Sequence, residues 1–241
     1  MRRYSIAVVA TLVGLVAATP APAQLDRLLQ QLPRSGAGAS LGDVKIGDGL
    51  KQALQVATEH AVGLTGKPDG YFANAAIKIL MPERLRMAEQ GLRAVGQGDR
   101  VDELVLGMNR AAERAAPAAK SIFWDAIVAM SFDDARRILQ GSSTAATDYF
   151  KDKTTDRLTS AFLPVVSSAM DEVGVTRQYK QLVASAERLP FVNVQAFDVD
   201  QYVVGKALDG LFHVVGEEEQ KIRTNPTARI TPLLKEVFGT R

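Results

Sequence analysis

From Leu50 onward the apolar positions recur every three or four residues, the spacing of a single helix face. Leu50, Ala53, Leu54, Ala57, Ala61 and Leu64 share one side, Lys51, Gln52, Gln55 and Glu59 share the other, and Asp48 stands where an N-cap belongs. Pro82 opens a second helical stretch, "PERLRMAEQGLRAV", which the glycines at 96 and 98 end. The longest stripe lies in residues 100–130: Val101, Leu104, Val105, Met108, Ala112, Ala115, Ala119, Ile122, Ala126 and Met130. Pro117 interrupts it, and Trp124 and Val128 make the opposite side apolar too. The pattern predicts one long central helix, kinked at Pro117 because proline removes a hydrogen bond and crowds the preceding turn.

Ser131 and Asp134 have capping-box spacing for a short helix that runs to Gln140, with Gly141 as its terminator. In the next stretch, "GSSTAATDYF" (141–150), Ser143 or Thr144 can cap a following helix and Asp148 falls in its first turns, where negative charge suits the dipole. Further helices are predicted at about 155–173, 176–188, 199–222 and 230–238, separated by Gly174, Pro190 and Asn225-Pro226. No run alternates with period two for long enough to require a sheet. The expected fold class is therefore all-α, a single irregular multi-helix bundle around the Pro-kinked helix.

The N-terminus departs from this pattern. Arg2 and Arg3 precede an apolar run from Ile6 to Ala18 and the small-residue ending Ala21-Pro22-Ala23, which reads as a signal peptide (1–23) cleaved before Gln24. The run is too short, and too interrupted by Thr11 and Gly14, for a membrane anchor. No cysteine is present to carry a lipid or form a disulfide. Residues 24–46, with "PRSGAGASLGD", read as a flexible tether, and 47–241 as the helical domain. The expected location is the periplasm, with no transmembrane segment in the mature chain.

Cleavage also changes the charge balance. The full chain has 29 basic and 27 acidic residues, and loss of Arg2 and Arg3 leaves the mature chain formally neutral. Its apparent pI of 8.8 is then no argument for nucleic acid, which demands a basic patch able to displace counterions.

Several long motifs carry a resemblance. "GYFANAAIKILMP" (70–82), "MNRAAERAAPAAKSIF" (108–123), "DDARRILQGSSTAATDYF" (133–150), "KALDGLF" (206–212) and "IRTNPTARITPLLKEVFG" (222–239) resemble the exported bacterial family of unknown function numbered 4197, over about residues 45–239. The resemblance implies an exported helical protein and supplies no catalytic residues.

Chemistry therefore has to be sought in the residues themselves. Nucleophile elbow, HExxH, P-loop and dinucleotide fingerprints are all missing, and no cofactor is expected. Asp209, His213 and Glu217 form a row at i, i+4 and i+8 that could offer ligands to a divalent metal, although one straight helix rarely supplies more than two; with Lys206 on the same face, the row also reads as a solvated, ion-paired surface. His60, beside Glu59, reads as a boundary residue. The carboxylates Asp133-Asp134 and Glu217-Glu218-Glu219 are neighbours in sequence, which on a helix point different ways. The most informative group is "MNRAAE", where Asn109, Glu113 and Lys120 sit together on the flank of the core stripe. Buried there, they need partners, for which Lys78, Arg110, Thr147, Asp148 and Tyr149 are candidates. The cluster is either a polar network that fixes helix register or part of a ligand pocket. The functional expectation is a periplasmic helical protein that binds an apolar or amphipathic ligand, or an envelope protein, in an inter-helix groove. The alternative is a hydrolase or metal-dependent enzyme built on Asp209, His213 and Glu217.

Overall fold

A computed structural model describes residues 41–172, 174, 177, 179, 181 and 198–225, with side chains from Gly47 onward. Among them are seven α-helices: α1 (Leu41–Thr65), α2 (Arg86–Ala94), α3 (Gly98–Ala115), α4 (Ala119–Ala129), α5 (Phe132–Gln140), α6 (Ala145–Glu172) and α7 (Val199–Thr224). Short 3-10 turns occupy Glu83–Leu85 and Ala116–Ala118, and the described residues contain no strand. The fold is an all-α bundle. The leader, residues 24–40 of the tether, and the helices expected at 176–188 and 230–238 lie outside the described residues.

Most of the expected stripes are the core. Every residue of the stripe from Val101 to Met130 is buried, as are Leu50, Ala53, Leu54, Ala57 and Ala61 of α1. Burying such a set is the main stabilising contribution in a chain without disulfides. Phe123 of α4 joins α6 and α7 through edge-on contacts with Phe150 (5.1 Å between ring centres) and Phe212 (6.1 Å).

Four expectations need correction. The helix over 100–130 is two helices, because at Pro117 the chain tightens into the 3-10 turn Ala116–Ala118; proline has no N–H to continue the ladder. Trp124 and Val128 are 48% and 59% exposed, so α4 is covered on one side only, and the most extensive helix pairing is between α6 and α7. Asp48 caps nothing, since α1 begins at Leu41 and Asp48 is an exposed residue within it. The segment that follows Gly141 is one helix from Ala145 to Glu172, with Pro164 inside it.

The capping box is present as the spacing predicts. Ser131 Oγ accepts the Asp134 N–H at 3.1 Å, while the Asp134 carboxylate accepts the Ser131 N–H at 3.0 Å. Gly141 ends α5 in an extended conformation that any residue adopts, but a Cβ there would stand 2.8 Å from the Arg137 carbonyl oxygen and 2.7 Å from Ala145 Cβ. Its smallness, and not its conformational freedom, lets α5 turn into α6.

Candidate functional site

Between α1 and α2 the chain crosses the bundle as a non-helical segment, residues 66–82, whose backbone groups need partners. The polar flank of α3 supplies them. The fully buried Asn109 accepts the Ile79 N–H through Oδ1 (2.9 Å) and donates Nδ2 to the Ile79 carbonyl (2.8 Å) and the Val105 carbonyl (2.7 Å). One turn on, Glu113 Oε1 accepts the N–H groups of Tyr71 (3.1 Å) and Phe72 (3.2 Å), and Oε2 accepts from Arg110, which reaches on to Asp69 (both 2.7 Å). Asp69 carries a positive φ of 64°, and Arg110 holds it there.

The segment is also fixed to α7. Tyr71 is fully buried, and its hydroxyl donates to the Ala207 carbonyl at 2.6 Å. Its ring lies where a side chain at Gly210 would be: a Cβ there would be 2.6 Å from Tyr71 Cε1 and 3.0 Å from Ile77 Cβ. Burial, and then the nearby Glu113 charge, push the Tyr71 phenol far above its ordinary pKa, so it stays a neutral donor. At the other end Tyr202 of α7 donates to the Leu80 carbonyl at 2.9 Å.

The seven residues singled out in the sequence therefore separate. Asn109, Arg110, Glu113 and, through its ammonium 3.9 Å above the Phe72 ring, Lys78 belong to the segment 66–82. Thr147, Asp148 and Tyr149 bond elsewhere. Tyr149 donates to the Ala126 carbonyl at 3.0 Å, and the exposed Asp148 accepts from the Thr144 hydroxyl at 3.2 Å. Lys120 is exposed and stands 3.5 Å from Glu59.

Thr147 leads to a second buried group that sequence reasoning misses. Glu219 of α7, 4% exposed, accepts the N–H groups of Ala146 (3.0 Å) and Thr147 (2.9 Å) and the Thr147 hydroxyl (2.8 Å). Arg223 holds the same carboxylate at 2.8 Å and donates to the Ile138 carbonyl at 2.9 Å. The pair thus places an anion at the start of α6 and a cation at the end of α5, each opposite in sign to the helix end it meets. The expected caps, Ser143 and Thr144, yield this role to Glu219; Thr144 spends its hydroxyl on Asp148. Glu218 is buried too, between His60 Nδ1 (2.7 Å) and Lys221 (2.6 Å), which outweigh the effect of burial and hold its carboxyl below the usual range. The sequence signal was available: Glu218 and Glu219 interrupt the apolar stripe Leu211, Phe212, Val215, Ile222 on its own side.

The clamped segment forms one wall of an open groove of about 950 Å³, within the range of small-molecule sites. α7 forms the facing wall, and α2 and α3 contribute Arg93, Asp102 and Val105. Along α7, Tyr202, Lys206, Asp209 and His213 line it, a rise of about 16 Å at helical pitch. Near Tyr202 lie Leu80, 58% exposed, and the Glu83 charge; Ile77, next to Lys78, stands against Gly210, next to Asp209 and one turn from His213. Arg86 pairs with Glu83, Lys206 with Asp209 (3.2 Å), and Arg93 with Glu89 and Asp102 (3.0 and 2.6 Å).

The metal row does not converge. Asp209 faces Lys206, and among the described residues His213 meets Glu217, at 3.4 Å, with both half exposed. Among the described residues no three His, Cys, Asp or Glu side chains gather as a metal site would require. No described helix is long and apolar enough to cross a membrane.

The family model described as "Protein of unknown function (DUF4197)" matches residues 40–239. No curated protein and no solved structure matches the chain.

Proposed function

The chain belongs to the DUF4197 family, and we propose that it is an exported protein that binds an apolar or amphipathic ligand in the groove between residues 76–86 and α7. The leader-like residues 1–23 support export to the periplasm, with cleavage after Ala23. The groove carries the binding reading. It combines exposed apolar side chains, Leu80 above all, with charged groups on both walls. The buried polar groups behind it are scaffold: Asn109 and Glu113 are consumed in holding the backbone that makes the wall. A rigid wall lowers the cost of ordering on binding, which is how a shallow groove reaches useful affinity.

Native mass spectrometry of protein expressed with its leader and purified from the periplasmic fraction tests the reading. The expected result is a chain starting at Gln24 with a bound amphiphile, lost in Leu80→Glu while the circular dichroism is unchanged. A chain that retains residues 1–23, or that carries no ligand under gentle ionisation, contradicts it.

A further inference from the structure

We propose that the ligand of this groove is a single-chain amphiphile with an anionic head, whose charge sits on Lys78 and whose alkyl chain runs toward Tyr202, Leu80 and Met81. The proposal rests on the groove being a ligand site, and adds the ligand's chemistry.

The argument starts from charge complementarity. Five Lys and Arg side chains line the groove against four carboxylates. All four carboxylates are already engaged: Glu83 by Arg86, Glu89 and Asp102 by Arg93, and Asp209 by Lys206. Lys78 differs from the paired cations because its ammonium lies 3.9 Å above the Phe72 ring and pairs with no carboxylate among the described residues. It does feel Asp102, whose carboxyl is held low first by the Arg93 hydrogen bond and also by the Lys78 charge, but Arg93 already occupies that carboxylate. An ammonium resting on an aromatic face keeps donors directed away from the ring, available to an incoming oxyanion. Lys206 on the facing wall is bound to Asp209 at 3.2 Å, long for a charge-assisted bond and open to exchange for a second contact with the head.

The exposed Leu80 sets the ligand's direction. Ile77 stands against Gly210, Lys78 follows it in the chain, and two residues on, Leu80 gives its carbonyl to Tyr202, with the Glu83 charge close by. From Gly210, against Ile77, to Tyr202 α7 rises about 12 Å, which suits a medium-length alkyl chain. A carboxylate and a phosphate monoester share the required head chemistry.

Met81 lines the groove and supplies a local reporter. The mature chain, stripped of bound lipid and labelled at methionine methyls, is titrated with dodecanoate, dodecyl phosphate, dodecyl maltoside and dodecyltrimethylammonium below their micelle concentrations; Met81→Leu assigns the signal. Dodecanoate or dodecyl phosphate is expected to shift the Met81 methyl at lower concentration than the neutral and cationic probes. Lys78→Ala is expected to weaken that anion about tenfold or more while leaving the maltoside unchanged, and Lys78→Arg to restore it. Which of the two anions binds more tightly distinguishes a fatty acid from a phosphorylated lipid. If the maltoside or the ammonium moves Met81 as readily as both anions do, the anionic head is wrong and the groove reading stands. If no probe moves Met81, both fall.

Discussion

Glu219 of α7 holds Thr147 of α6 twice across 72 residues of sequence, taking its N–H at 2.9 Å and its hydroxyl at 2.8 Å. A helix start that would ordinarily be capped by its own preceding Ser or Thr is capped instead by a carboxylate from the helix it packs against. Tertiary packing and helix initiation are therefore one event here. Removing the carboxylate with Glu219→Ala breaks its ion pair with the half-buried Arg223 and leaves the buried Ala146 and Thr147 N–H groups without their acceptor, and the expected loss is about 3–5 kcal/mol in urea denaturation. Thr144→Ala, which removes only an exposed hydroxyl, is expected to cost under about 1 kcal/mol. Equal effects would place the cap in the local sequence after all.

Glu113 and Asn109 do comparable work for residues 66–82. Their side chains replace the hydrogen bonds a helix or strand would have given Tyr71, Phe72 and Ile79. Asn109→Ala is expected to destabilise by about 1–3 kcal/mol, the cost of leaving buried backbone groups unpaired. Amide hydrogen exchange should locate the damage: faster exchange at Ile79, with the core amides of α6 following only through the global loss.

Gly210 offers a test of the close approach to Tyr71. Alanine in a helix interior is ordinarily favoured over glycine by about 1 kcal/mol. Here its Cβ would overlap Tyr71 and Ile77, so Gly210→Ala is expected to destabilise by about 1–3 kcal/mol, as overpacking does. A melting temperature that rises would show that the ring has room to move.

Glu218 predicts a pH dependence. Its folded carboxyl is held below the ordinary value of 4.5 by Lys221 and His60, against the effect of burial, so its stabilising contribution is present above that value and is lost as pH falls through the folded one. Glu218→Gln is therefore expected to be less stable than the parent at neutral pH, with the difference shrinking below about pH 4.5 as the parent's own carboxyl takes up its proton. A difference that stays constant down to pH 3 would mean that the ion pairs contribute nothing.

How far the sequence reveals this depends on the range of the interaction. The core stripe of residues 101–130 and the Ser131–Asp134 box are legible because each is set by residues within a few turns of one another. The break at Pro117 is legible in place but not in kind, since a kink and a 3-10 turn begin with the same missing N–H. "MNRAAE" announces that polar groups are buried, and Asn109 and Glu113 are; their partners are backbone groups of a segment with no period of its own, which no side-chain pattern encodes. Tyr202 and Gly210, which set one wall of the groove, look like ordinary helix positions until Tyr71 and Leu80 are placed against them.

The groove itself is tested most directly by asking where a bound chain lies. A fatty acid carrying a diazirine near its methyl end, irradiated with the purified mature protein and mapped by peptide mass spectrometry, is expected to label Leu80, Met81 or Tyr202, and to lose that labelling when unlabelled dodecanoate competes. Labelling concentrated instead at the exposed Trp124 and Val128 of α4, or spread evenly over the surface, would contradict a ligand site between residues 76–86 and α7.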